Sequence, residues 1–281
     1  MTDWKKIPKI DAHIHLLPED VISANQGCGD RFVEYGRAAD YMKFMERYNI
    51  ETAFVMPFND PYMLSMEFTV EAVHSNLLKM AEEYPARFRF FADVDIRRNI
   101  RETLKELDKV LCRDEFIGIK LHPTNAGYPI DGEYYDMIFD YAERGGVLTE
   151  IHSYPRAHLN DDVCSPRRIK RVLDKHPALR LSAAHLGGLQ FEELSGLNVY
   201  VNISAVLPDI VDRLGMERAN EILRSFGTDR LVFATDYPNS RSLKPPMIYD
   251  RYFELLGAMD LTQEEAENIC RYNALRMING T

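Results

Sequence analysis

Residues 7–19 read Ile-Pro-Lys-Ile-Asp-Ala-His-Ile-His-Leu-Leu-Pro-Glu, and the fold turns on the period of this stretch and on the residues that come after it. Ile10, Ala12 and Ile14 alternate with Asp11, His13 and His15, which is the period of a strand. An open doubly wound sheet would carry a glycine-rich nucleotide loop after its first strand. Here the chain continues His-Leu-Leu-Pro-Glu instead. Counting 7–13 as the first, there are eight strand-like runs in order: 52–56, 88–94, 116–121, 146–151, 179–184, 199–203 and 231–235 complete the set. Helix-like stretches fill 38–48, 67–84, 100–111, 133–144, 166–176, 190–194, 210–226, 246–256 and 263–279. In one of them Ile100, Leu104, Leu107 and Leu111 recur at helical spacing, with Arg101, Glu102, Lys105, Glu106 and Lys109 on the other face. Strands alternating with helices imply parallel βαβ units. Eight such units in 281 residues predict an α/β fold, a (β/α)8 TIM barrel forming a single domain over 1–281. Residues 16–38 form a long irregular insertion after strand 1, with Gly27, Cys28 and Gly29, and read as a lid loop.

Composition narrows the partners. Asp and Glu outnumber Lys and Arg by 44 to 34, a net charge of −10, which argues against a polyanion binder and so against nucleic acid or an anionic membrane. No run approaches the ~20 apolar residues of a membrane-spanning helix, and the opening stretch has no signal-peptide core. Cys28, Cys112, Cys164 and Cys270 lie far apart without a C-x-x-C pair, as expected of reduced thiols in the cytoplasm.

Chemistry concentrates at strand ends. Strict alternation puts Asp11, His13 and His15 on one face, which in a barrel is the interior, because the other face meets the helices. Two imidazoles two residues apart can hold one metal ion, and bare histidines in an apolar interior would be costly otherwise. Strand 5 ends in His152, strand 6 in His185 and strand 8 in Asp236. Each alone also reads as a buried polar group satisfied by the backbone, but together they fall on the carboxyl rim where barrel enzymes build their sites.

The motifs Asp11-Ala-His13-Ile-His15, Gly118-Ile-Lys120-Leu-His122-Pro123, His152, Ala184-His185-Leu-Gly-Gly188, Ala234-Thr-Asp236-Tyr-Pro238 and Tyr272-Asn273-Ala274-Leu275-Arg276-Met277 together resemble the amidohydrolase superfamily, in particular its amidohydrolase 2 branch, across essentially the whole chain. The resemblance implies that His13, His15, His152 and Asp236 bind a divalent metal and that His185 beside it polarises substrate or shuttles protons. Asp236 would also move the proton of metal-bound water. Mixed nitrogen and oxygen donors suit Zn2+ best, with Mn2+, Fe2+ or Ni2+ as alternatives. In binuclear members a strand-4 lysine bridges two ions; Lys120 stands at that place, and Lys120 and His185 would become ligands only then. One ion is expected. Lys120 otherwise reads as neutralising Asp11 or Glu150.

His122, Arg156 and Arg241 are expected at the rim in contact with substrate, and with His158 and Lys244 would make a locally positive mouth suited to a carboxylate. Each of these cations also reads as a solvated loop residue, which is the preferred reading for Lys244, and His74 and His176 read as structural. The expected function is hydrolysis of a small amide, lactone or ester, with a carboxylate on the substrate, by attack of metal-bound hydroxide. The alternative is a non-oxidative decarboxylase or hydratase using the same cage. A barrel without catalysis would be favoured by a missing ligand, and none is missing. A homodimer is expected from base rates.

Overall fold

The computed structural model describes residues 3–58, 68–97, 99–155, 162–240 and 243–280. Eight parallel strands succeed one another around a barrel in chain order: β1 Lys9–Ile14, β2 Ile50–Val55, β3 Phe88–Ala92, β4 Phe116–Leu121, β5 Thr149–Ile151, β6 Leu181–Ala183, β7 Tyr200–Asn202 and β8 Leu231–Val232. The seam between β8 and β1 is closed beyond the short β8. Ala12 N–H donates to Phe233 O, Asp236 N–H to His13 O at 2.9 Å, and His15 N–H to Tyr237 O at 2.7 Å. This is a TIM barrel in a single α/β domain.

Helices are α1 Glu19–Ala24, α2 Arg31–Tyr35, α3 Ala38–Arg47, α4 Val70–Glu83, α5 Ile100–Val110, α6 Pro123–Ala126, α7 Asp136–Gly145, α8 Pro166–Lys175, α9 Phe191–Ser195, α10 Leu207–Leu214, α11 Met216–Phe226, α12 Ile248–Gly257, α13 Gln263–Glu267 and α14 Asn273–Asn279. Two differ from the sequence expectation for local reasons. The stretch expected as one helix over 210–226 is two, because Gly215 takes φ 83° and turns the chain between α10 and α11. The stretch over 263–279 is broken by a π-helical turn at Asn268–Tyr272. Residues 16–38 are also not irregular: α1 and α2 form there, and Leu17, Val21, Ile22, Phe32 and Val33 bury themselves as a separate small cluster.

Inside the barrel Ile10, Ala12, Phe54, Phe91, Leu148, Val232 and Ala234 pack with Ala274 and Met277 of α14. Outward-facing Ala53, Val55, Ile119, Leu121, Ile151 and Ala183 meet the helix layer. The phase of β1 departs from strict alternation. Asp11 pairs with Ala53 and Ile14 with Val55, so three residues of β1 advance against two of β2. Such a bulge re-aims the side chains after it. Ala12 and His13 therefore both face the interior, and Asp11 faces the helices. The expectation that Asp11 shares the face of His13 and His15 is corrected: its carboxylate meets the hydroxyls of Tyr249 at 2.6 Å and Tyr41 at 3.4 Å, from α12 and α3. Burial lifts its pKa to about 6, against the hydrogen bonds from Thr235 and Tyr249 that lower it.

Candidate active site

The carboxyl rim is built under backbone strain. His185 and Leu186 after β6, Ala205 after β7 and Asp236 after β8 all take left-handed conformations, with φ of 63°, 49°, 57° and 64°. For residues other than glycine this costs about 1–3 kcal/mol each and persists only where the surroundings over-determine it.

His13 is almost fully buried, and its Nδ1 lies 3.2 Å from Glu150 Oε1, which also accepts Asn202 Nδ2 at 2.7 Å. Burial, with Lys120 and the neighbouring imidazoles adding to it, holds the His13 pKa well below the ordinary value, so the ring is neutral. A neutral ring that donates through Nδ1 carries a lone pair on Nε2. That nitrogen faces Asp236 Oδ1 at 3.4 Å, and His15 Nε2 faces the same oxygen at 3.3 Å. His15 Nδ1 is buried without a hydrogen-bond partner among the described residues. For His13 this sets acceptor against acceptor, which is unfavourable unless a cation lies between. A spacing of about 3.3 Å is also the edge of a tetrahedron whose donors stand ~2.0–2.1 Å from the centre. On both counts these side chains fit a divalent ion.

His185 joins them: donor atoms of His13, His185 and Asp236 lie within 4.8 Å of one another, all three residues buried. The tautomer of His185 is set by its neighbours. Ser204 Oγ donates to Asn202 Oδ1 at 2.6 Å, so its oxygen accepts from His185 Nδ1 at 2.8 Å. Nδ1 carries the proton and Nε2 is left for the cavity, 3.1 Å from His152 Nδ1. His152 thus meets the group through His185. It also stacks on His122, with ring centroids 4.0 Å apart. His122 Nδ1 accepts Asn125 N–H at 3.2 Å at the start of α6. Burial keeps its pKa well below the usual range, with Lys120 assisting.

Lys120 lines the same cavity, 5 % exposed, and its Nζ has no hydrogen-bond partner among the described residues. Burial lowers its pKa, and the charges of Glu150 and Asp236 oppose the shift. Asp11, expected from the sequence as a neutralising partner, lies on the other side of the wall. Arg156, His158 and Arg241 lie outside the described residues. Lys244 is exposed and absent from the cavity lining.

The cavity has a volume of about 260 Å³. Sequence reasoning missed part of its wall. Phe32 of α2 stacks on Phe58 with centroids 4.4 Å apart, and both rings present edges or faces to His15. Asp93, Asp95 and Arg97 come from the segment after β3. Arg97 grips Asp95 through Nε at 3.0 Å and Nη2 at 3.1 Å. His74 anchors that segment: its Nε2 accepts Asp93 N–H at 2.9 Å, and its Nδ1 faces Glu106 at 3.4 Å. The rule that led to His152 and His185, that residues just past a strand's carboxyl end reach the rim, applies equally to β3.

Comparisons with known proteins agree with this architecture. A 2,6-dihydroxybenzoate decarboxylase from Rhizobium superposes with a TM-score of 0.71, covering 97% of this chain and 98% of that one at 16% identity. A 5-carboxyvanillate decarboxylase from Novosphingobium aromaticivorans, in complex with manganese and 4-hydroxy-3-methoxy-5-nitrobenzoic acid, gives 0.72, covering 99% and 98% at 15% identity. A probable 2-pyrone-4,6-dicarboxylic acid hydrolase from Acinetobacter baumannii, with citric acid bound, gives 0.67, covering 96% and 99% at 14% identity. At such identities the likeness is one of fold. No curated protein sequence matches the chain. Among the described residues no helix is long and apolar enough to cross a membrane. The amidohydrolase profile matches residues 10–279, from the strand that carries His13 to the last helix, and the chain belongs to the amidohydrolase family of the amidohydrolase 2 type.

Proposed function

We propose that this protein is a metal-dependent lyase that removes carbon dioxide, without oxidation, from a small aromatic or unsaturated carboxylic acid. The observation that carries the reading is Lys120: a buried amine without a hydrogen-bond partner among the described residues, in the same cavity as the donor group of His13, His185 and Asp236. A cavity of that make-up is matched by a carboxylate, which supplies the missing acceptors. The aromatic wall of Phe32 and Phe58 suits a planar ring. Similar folds that hold dihydroxybenzoate or a nitrobenzoic acid support the substrate class.

His13, His15 and Asp236 would hold the ion, with His152 completing the set through the ring nitrogen that does not meet His185. A bound divalent ion supplies Lewis-acid polarisation of substrate oxygens. The remaining work belongs to the chain. Glu150 and Asn202 orient His13. Ser204 fixes the His185 tautomer, so that Nε2 meets the cavity. The hydrogen bond between His185 and His152 gives a path by which a proton reaches His185 and passes to the carbon that loses carbon dioxide. A single ion is proposed, because His152 and His185 satisfy each other. Mixed imidazole and carboxylate donors suit zinc, and similar structures hold manganese, so both ions belong in the test.

Hydrolysis is the second reading. It is favoured by Asp236, a carboxylate placed to accept a proton from water, and by the fold likeness to a probable lactone hydrolase. Protein loaded with Mn2+ or Zn2+ is to be incubated with dihydroxybenzoates, 5-carboxyvanillate and dicarboxylic lactones. Release of carbon dioxide with loss of the acid's absorbance is expected. Proton release from lactones, with no carbon dioxide from any acid, would overturn decarboxylation in favour of hydrolysis.

A further inference from the structure

Asp11 does not itself line the cavity, yet it joins both strands that deliver the innermost donor atoms. Its Oδ1 accepts Thr235 N–H at 3.1 Å and His13 N–H at 3.4 Å. Its Oδ2 accepts the Thr235 hydroxyl at 2.6 Å and the Tyr249 hydroxyl at 2.6 Å. Thr235 Oγ1 in turn accepts Tyr237 N–H at 3.2 Å, so the hydroxyl spans Asp236 from one side to the other. Asp236 is the residue whose φ of 64° has to be imposed. Its own N–H is spent on His13 O. The bulge in β1 makes this arrangement possible: under strict alternation Asp11 and His13 would share one face of the strand.

We infer that Asp11 is a positioning residue, acting from behind the barrel wall through Thr235 to fix where His13 and Asp236 present their donor atoms. The inference rests on the proposed metal site. Its two ties lead different ways: one 2.6 Å bond runs to strand 8 through Thr235 and an equally short one to the helix layer through Tyr249, with the Tyr249 hydroxyl also 3.5 Å from Thr235 Oγ1. A scaffold role alone would make the two equivalent. A positioning role makes only the Thr235 tie matter for the ion. Loss of a partner that orients ligands typically weakens metal binding by ~10–100-fold.

The test is the Kd for Mn2+ and for Zn2+ of wild type, Asp11→Asn, Thr235→Val, Thr235→Ser and Tyr249→Phe, together with their melting temperatures. Thr235→Val keeps the shape of the side chain should Asp11→Asn fail to fold. Wild type is expected to bind, with Asp11→Asn and Thr235→Val ~10-fold weaker or worse. Thr235→Ser, which keeps the hydroxyl, should restore wild-type affinity. Tyr249→Phe should lower the melting temperature while leaving Kd within about twofold. Folded Thr235→Val or Asp11→Asn with wild-type affinity overturns the positioning role and leaves the metal site standing. A wild type that binds neither ion overturns both. Tyr249→Phe losing affinity as much as Thr235→Val overturns the positioning role in favour of general support.

Discussion

Alanine at Gly118 should damage the barrel where two site-bearing strands meet. A Cβ there would stand 2.3 Å from the backbone oxygen of Leu148 and 3.0 Å from a ring carbon of Phe91. That oxygen already accepts Ile119 N–H at 2.9 Å, one of the bonds joining β4 to β5. Neither neighbour is the free end of a flexible side chain, so the strands must part. Overpacking a filled interior costs ~1–3 kcal/mol, and a weakened ladder bond adds ~1 kcal/mol. A destabilisation of about 2–4 kcal/mol is expected. For 281 residues the unfolding entropy is about 0.6 kcal/mol per degree, so the melting temperature should fall by about 3–7 °C. Gly196→Ala is the matched control. Gly196 has φ −78° and ψ −7°, with no heavy atom of the described residues within 4 Å of the added carbon. There alanine restricts the unfolded chain without strain and should stabilise by ~0.4–1 kcal/mol. Calorimetric melts of both variants beside wild type, metal-free and at one pH, check the pair. A Gly118→Ala protein melting within about a degree of wild type would refute the packing argument.

Two other perturbations act on these same walls. Glu150→Gln removes the charge that accepts from His13 Nδ1 and Asn202 Nδ2. Titration with Mn2+ should show affinity weaker by ~10–100-fold, and unchanged affinity would show that Glu150 does not orient the ring. His74 is held below the ordinary histidine pKa by burial, while nearby Asp93 and Glu106 oppose the shift. Its neutral form is the folded one, so below about pH 6.5 the unfolded chain binds the extra proton and stability falls as pH drops. Gln at this position can accept Asp93 N–H without titrating. The stability difference between wild type and His74→Gln should therefore shift against wild type from pH 7 to pH 5, by at most ~1.4 kcal/mol per pH unit. A pH-independent difference in denaturant melts would contradict this.

The order of strands and the residues at their carboxyl ends were legible because both arise from local periodicity. His13, His15, His185 and Asp236 converge as the barrel geometry requires. The side on which Asp11 falls was not legible. Alternation assumes that each strand advances in step with its neighbour, and one extra residue in β1 breaks that step. The relation of His152 to His185 was equally hidden, since strand ends give a rim but not which ring stands in front. Phe32 reaches the cavity from a segment that lacks strong periodicity, because two short helices carry it. Arg97 and Asp95 escaped notice because an oppositely charged pair two residues apart looks like any solvated turn.

The central claim is that the His13, His15 and Asp236 cluster is a site for one divalent ion. Protein equilibrated with excess Mn2+ or Zn2+, freed of loose ion by gel filtration and measured by elemental analysis, tests it most directly, with a His13→Ala/Asp236→Ala variant alongside. One ion per wild-type chain and essentially none in the variant is the expected result. No bound ion in wild type, equal content in the two proteins, or a reproducible two per chain would contradict it.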